Sequence, residues 1–268
     1  MQQSSEYFRL ESELLYNLVK PLDDAAFTRE TLFKSWTIDD VIGHLHLWNI
    51  AADLTLNDPD GFQAFLGTAF EVLLAGGSHQ DLTRQYVSEA LDGISGHALL
   101  AAYKDLYEKV ADMYSKADEN LRVKWGGPDM TTKSCIIARQ METWAHAQAV
   151  FDLLGETREA TDRLKNVAHI GVTTYRWTFV NRQQEAPQPK PYVCLTAPSG
   201  GLWEWNEPQA DNYVKGDAEQ FCQVVTQTRS IEDTQLNVVG DSATQWMAIA
   251  QCFAGGAENP PAKGQRTA

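Results

Sequence analysis

Between Ser134 and Leu154 the chain contains neither glycine nor proline, and Ile136, Ile137, Met141, Trp144, Val150, Leu153 and Leu154 recur at helical spacing. Such a stretch predicts one long helix, with Gly155 as its stop. Residues four apart on a helix advance by about 400°, so Glu142 and His146 project from one face, one above the other. A carboxylate and an imidazole so placed can share one metal ion, as the ligands of helical metalloprotease motifs do. They can also form an ion pair buried in a helical core, and the spacing is compatible with both. A metal site needs at least one more ligand from another element.

The segment from Thr37 towards Asn57 offers that ligand. Thr37 and Asp40 have the Thr-x-x-acid form of a capping box, and Asp58-Pro59 ends the helix they start. Val41, Leu45, Trp48 and Ala52 form its core stripe, with His44 beside the stripe and His46 about 200° further round. His44 is therefore read as the inward histidine. His46 is expected at the rim or in solvent, and is the alternative ligand. Arg139, three residues before Glu142, is expected either to orient that carboxylate or to pair with it. Trp144 and His169 are assigned to core packing.

Helices are also predicted over residues 4–19, 59–75, 80–92 and 95–117, followed by an extended segment from Leu121 to Trp125 and a turn at Gly126-Gly127-Pro128. Another helix is expected from Thr161 to Asn181. This succession of long helices and short loops predicts a bundle over residues 1–182, an architecture that builds metal sites from side chains on facing helices. Three prolines among polar residues make 183–191 a linker. Residues 192–255 then read as a small α/β domain, with strands at Tyr192–Thr196, Leu202–Trp205 and Gln235–Val239 and helices at Ala218–Thr228 and Thr244–Phe253. Residues 256–268 are expected to be a disordered tail.

Composition excludes several classes. A formal charge of −14 argues against a nucleic-acid partner, which calls for clustered Lys and Arg. No apolar run approaches the roughly 20 residues of a membrane span, and the first residues lack a signal-peptide layout, so a cytoplasmic location is expected. The four cysteines, at 135, 194, 222 and 252, form no C-x-x-C pair, and Cys222 and Cys252 read as buried thiols.

Several motifs together resemble a known family. They are Trp36-Thr37 with His44-Leu45, Trp125-Gly-Gly-Pro128 with Met130, Met141-Glu-Thr-Trp-Ala-His146, and the run from Thr161 to Gly171. Further on come Phe221-Cys222-Gln-Val-Val-Thr-Gln227 and the segment from Trp246 to Gly255. The chain resembles the DinB-like metal-binding proteins typified by mycothiol-dependent maleylpyruvate isomerase, over nearly its whole length. The resemblance implies a mainly α protein, with an N-terminal DinB-type four-helix bundle and a small C-terminal α/β domain similar to sterol carrier proteins.

It also implies His44, Glu142 and His146 as ligands of one divalent metal. Two histidines and a carboxylate suit zinc, and nickel or ferrous iron would accept the same set. A low-molecular-weight thiol is the implied co-reactant, adding to a substrate double bond, permitting rotation and leaving, or being transferred to a small electrophilic substrate. The family's catalytic arginine falls nearest to Arg229, which follows a threonine here instead of the family's glycine; a residue capping the helix C-terminus is the alternative. The competing functional readings are a small-ligand-binding protein with a structural metal and a metal-dependent hydrolase.

Overall fold

The computed structural model describes residues 1–266 and divides into two compact units, Met1–Leu154 and Gly155–Ala268. In the first, helices α1 (Gln2–Val19), α2 (Ile38–Asn57), α5 (Gly96–Lys116) and α6 (Thr132–Leu154) form the four-helix bundle. α1 and α2 each pack against both α5 and α6. Phe8 and Leu15 from α1, Val41, Ile42 and Leu45 from α2, Tyr103, Tyr107 and Val110 from α5, and Ile136 and Val150 from α6 fill the core. α3 (Pro59–Leu74) and α4 (His79–Ala90) cover the flank of α2. A short hairpin, β1 (Arg122–Val123) with β2 (Met130–Thr131), turns the chain into α6.

Local chemistry fixes where α2 begins and what covers it. Asp40 N donates to Thr37 Oγ1 at 3.0 Å and Thr37 N donates to Asp40 Oδ2 at 2.9 Å, the reciprocal bonds of a capping box. The same carboxylate accepts two bonds of 2.8 Å from the Arg84 guanidinium and one of 2.8 Å from Gln80. Asp40 therefore ties the first half of α4 to the start of α2. This packing buries His46, whose Nδ1 lies 2.9 Å from the Tyr86 hydroxyl of α4. His46 is thus not a solvated rim residue, because α4 covers the face that helical arithmetic left open.

The second unit contains a four-stranded sheet in the order β4-β3-β5-β6. Its strands are β3 (Tyr192–Thr196), β4 (Leu202–Trp205), β5 (Tyr213–Asp217) and β6 (Asn237–Val239); β3 and β5 run parallel and the other pairs antiparallel. Helices α9 (Ala218–Val225) and α10 (Asp241–Ile249) complete the α/β part. The segment expected to be one helix from Thr161 to Asn181 is two, α7 (Leu164–Thr173) and α8 (Tyr175–Val180). The Thr173 and Thr174 hydroxyls bond back to carbonyls of residues 169–171, which loosens the helical ladder where it breaks.

Both helices belong to this unit, so the division falls at Leu154–Gly155 and not at residues 183–191. Their apolar faces are committed to α9 and α10. Gly171 lies so close to α9 that a Cβ there would sit 2.7 Å from Val225 Cγ2, and the Tyr175 ring meets Trp246 edge-on at 5.2 Å. His169 is exposed and accepts a bond from Trp205 Nε1 at 3.3 Å, so it is not a core residue. Of the segment expected to be a disordered tail, residues 256–266 are fastened: Glu258 O accepts from Gln227 Nε2 at 2.9 Å, Gly264 N donates to Asp233, and Arg266 Nη1 donates to Gln227 O at 2.8 Å. Residues 267 and 268 lie outside the described residues. No helix among the described residues is long and apolar enough to cross a membrane.

Candidate metal centre

His44 enters from α2, and Glu142 and His146 from successive turns of α6. One ligand-type atom from each of the three lies within 4.8 Å of the others. The His44 and His146 ring centroids are 4.6 Å apart, and His146 Nε2 is 3.4 Å from Glu142 Oε2. That separation is long for a hydrogen bond. Two donor atoms on a tetrahedral ion at about 2.0–2.1 Å would stand about 3.3–3.4 Å apart, so the pair fits one edge of a coordination tetrahedron. His44 is buried, whereas the side chains of His146 and Glu142 retain 12% and 23% exposure.

The electrostatics suit ligation. Burial, reinforced by the charges of His146, His79 and Arg139, holds the His44 pKa well below 6.5, so its imidazole stays neutral with a lone pair available. Its Nδ1 is buried without a hydrogen-bond partner, a cost that coordination through that nitrogen would offset. For Glu142 burial opposes ionisation, but the contact with His146 and the charges of His146, Arg139 and His79 outweigh it and lower the pKa. Arg139 is 1% exposed; its Nε donates to Asn49 Oδ1 at 3.1 Å and its Nη2 to Leu45 O at 3.2 Å. It thereby pins α6 to the turn of α2 that follows His44.

Aromatic rings frame the three residues. Trp36 stacks on His146 with centroids 5.4 Å apart and planes 9° apart, and meets His44 edge-on at 5.0 Å. Phe33 meets His146 edge-on at 5.2 Å. Both rings come from a tight loop closed by the Glu30–Thr37 bridge, in which Lys34 and Ser35 take left-handed φ values of 52° and 54°. Two successive non-glycine residues in that region are strained, and here the strained turn presents both rings to the imidazoles.

Sequence reasoning missed His79. It opens α4 behind a capping box formed by Ser78 and Asp81, and its ring lies 6.2 Å from that of His44. The Ser78-x-x-Asp81 capping-box pattern could have placed His79 at a helix start, but no spacing links it to residues 44, 142 or 146. Arg229 belongs to the other unit. It lies just past α9, half-buried, with its backbone N bonded to Gln223 O at 3.2 Å and Nη1 to Thr228 O at 2.9 Å.

Fold and site together define a helical-bundle protein that converges two histidines and a glutamate from facing helices. The chain belongs to the family of the mycothiol maleylpyruvate isomerase N-terminal domain, whose profile matches residues 8–151. Uncharacterized proteins from two strains of Mycobacterium tuberculosis are each 36% identical to it over 261 residues, covering 96% of both chains. Among solved structures, the mycothiol-dependent maleylpyruvate isomerase aligns with a TM-score of 0.51 at 15% identity, over 83% of this chain and 87% of the other. A histidine-to-alanine mutant of that enzyme aligns at 0.52 with the same identity and coverage. At that identity the likeness establishes the shared fold.

Proposed function

We propose that this chain is a divalent-metal-dependent enzyme that uses a low-molecular-weight thiol to isomerise, or to transfer that thiol to, a small electrophilic substrate. The convergence of His44, Glu142 and His146 within 4.8 Å carries the reading, and family membership supports it. Three protein ligands leave a coordination position for a reactant, as catalytic sites do. An ion held there supplies Lewis acidity and lowers the pKa of a bound thiol or water. Zinc suits this ligand set, with nickel and ferrous iron as alternatives.

The protein's own residues set the remaining conditions. His44 offers a neutral imidazole and Glu142 an anionic carboxylate, while Arg139 holds α6 in register with α2. In an isomerisation the thiolate forms a C–S bond as the alkene π bond breaks, and the electron pair moves onto a conjugated carbonyl. Rotation about the resulting single bond and cleavage of the C–S bond then return the thiolate. Arg229 is our candidate for the cation that binds an anionic substrate. The solved relative's name ties that protein to mycothiol, and we take mycothiol or a thiol of similar size as the first co-reactant to test. The mixed sheet with α9 and α10 supports a sterol-carrier-like second unit.

The test is a thiol-dependence assay with the purified, zinc-loaded protein and cis-configured unsaturated oxo acids, followed by loss of the cis chromophore. Turnover that requires both thiol and metal, and that vanishes in Glu142→Ala, is expected. Turnover without thiol would overturn the thiol-dependent reading, and cleavage products in that case would favour a metal-dependent hydrolase.

A further inference from the structure

Two sets of rings lie near His44. Trp36, only 4% exposed, packs against both imidazoles. Trp48 approaches His44 at 6.3 Å and continues into a network of rings: Trp125 at 5.8 Å, Phe65 at 5.8 Å and His79 at 6.3 Å. Trp48, Trp125, Phe65 and His79 are all half-buried. They come from α2, the hairpin turn, α3 and α4 respectively, so four separate elements converge on the Trp48 indole that neighbours the buried imidazole.

Trp48, Phe65 and Trp125 pack against the apolar cluster of Ala51, Phe62 and Leu66 and still keep part of their aromatic surface exposed. Partly wet rings next to a cluster of polar donors have the composition of a small-ligand site, mostly apolar with a few convergent polar groups. Among the members of this network named here, His79 is the polar side chain beyond the ligand set. Gly126 borders the same indole: a Cβ there would stand 3.7 Å from Trp48 Cη2 and 3.8 Å from Leu66 Cδ2.

We propose that Trp48 and Trp125 form the recognition wall of the centre, and that its substrate carries a flat aromatic or conjugated body attached to the donor group that binds at His44, Glu142 and His146. The body lies along the indoles. This inference rests on the metal-dependent reading of the site and narrows its substrate class.

The test uses the full chain loaded with cobalt(II), whose visible spectrum reports a new ligand, titrated with acetohydroxamate and benzohydroxamate. The two probes share a donor group and differ in the flat ring. Wild type is expected to bind benzohydroxamate at least tenfold more tightly. Trp48→Leu should reduce that preference below threefold, and Trp48→Phe should retain most of it. Trp125→Leu gives an independent check if Trp48→Leu does not fold. Equal affinities for the two probes in cobalt-loaded wild type would overturn the recognition wall and leave the metal centre standing. Failure of the folded protein to take up cobalt would instead overturn the metal-dependent reading, and this inference with it.

Discussion

Arg139→Met is the substitution that reaches furthest into the site without touching a proposed ligand. The guanidinium is 1% exposed and bonds to α2 through Asn49 Oδ1 and Leu45 O, and the charge of Glu142 helps to keep it protonated against burial. Methionine fills much of the same volume but donates no hydrogen bond. The change leaves Asn49 Oδ1 and the Leu45 carbonyl without these donors and deprives Glu142 of a neighbouring cation. Breaking a buried charge interaction by removing one partner costs about 3–5 kcal/mol, and the relief from no longer burying a guanidinium offsets part of it. We therefore expect a net loss of about 3 kcal/mol, read as a lower urea midpoint with an unchanged m-value. Loosening α6, which carries Glu142 and His146, from α2, which carries His44, should also weaken metal affinity by about 10-fold, at the low end for a supporting residue. Both effects should appear together, with Arg139→Lys intermediate. Stability within about 0.5 kcal/mol of wild type, the range of ordinary surface changes, would refute the role assigned to Arg139.

Other expectations test separate parts of the account. Burial pushes the His46 pKa from 6.5 down to about 4. The unfolded chain therefore takes up a proton below pH 6.5 that the folded one refuses until about pH 4, and stability falls across that window. His46→Gln should flatten the decline in urea midpoint between pH 6.5 and 4, and an unchanged pH profile would show that His46 is not buried as described. Gly171→Ala should cost about 1–3 kcal/mol by overpacking against Val225 and Phe221, while leaving metal stoichiometry intact. A neutral effect on melting temperature would contradict the packing of α7 on α9.

What the sequence made legible follows from which forces are local. The Thr37–Asp40 capping box and the breaker-free run through α6 act within a few residues, and both elements lie within two residues of where they were read. The same regularity placed Glu142 and His146 on one face and His44 inward, and the structure brings these three together. Tertiary partners were not legible. An amphipathic helix advertises its apolar face but not what will cover it, so α7 and α8 were assigned to the bundle when they pack on α9 and α10. His46 looked solvent-facing because the Asp40–Arg84 tie that lays α4 over it spans 44 residues. β5 escaped notice because Tyr213-Val-Lys-Gly-Asp217 presents a single buried residue, Val214, and gains its strand character from pairing with β3.

The central claim is that His44, Glu142 and His146 hold a divalent ion, and elemental analysis of purified, tag-free protein beside His146→Ala tests it most directly. The account predicts about one equivalent of zinc, nickel or iron per wild-type chain and almost none in a folded His146→Ala variant. Wild type free of metal after dialysis against zinc, or a variant that retains a full equivalent, would contradict it and leave Glu142 and His146 as a pair within the bundle.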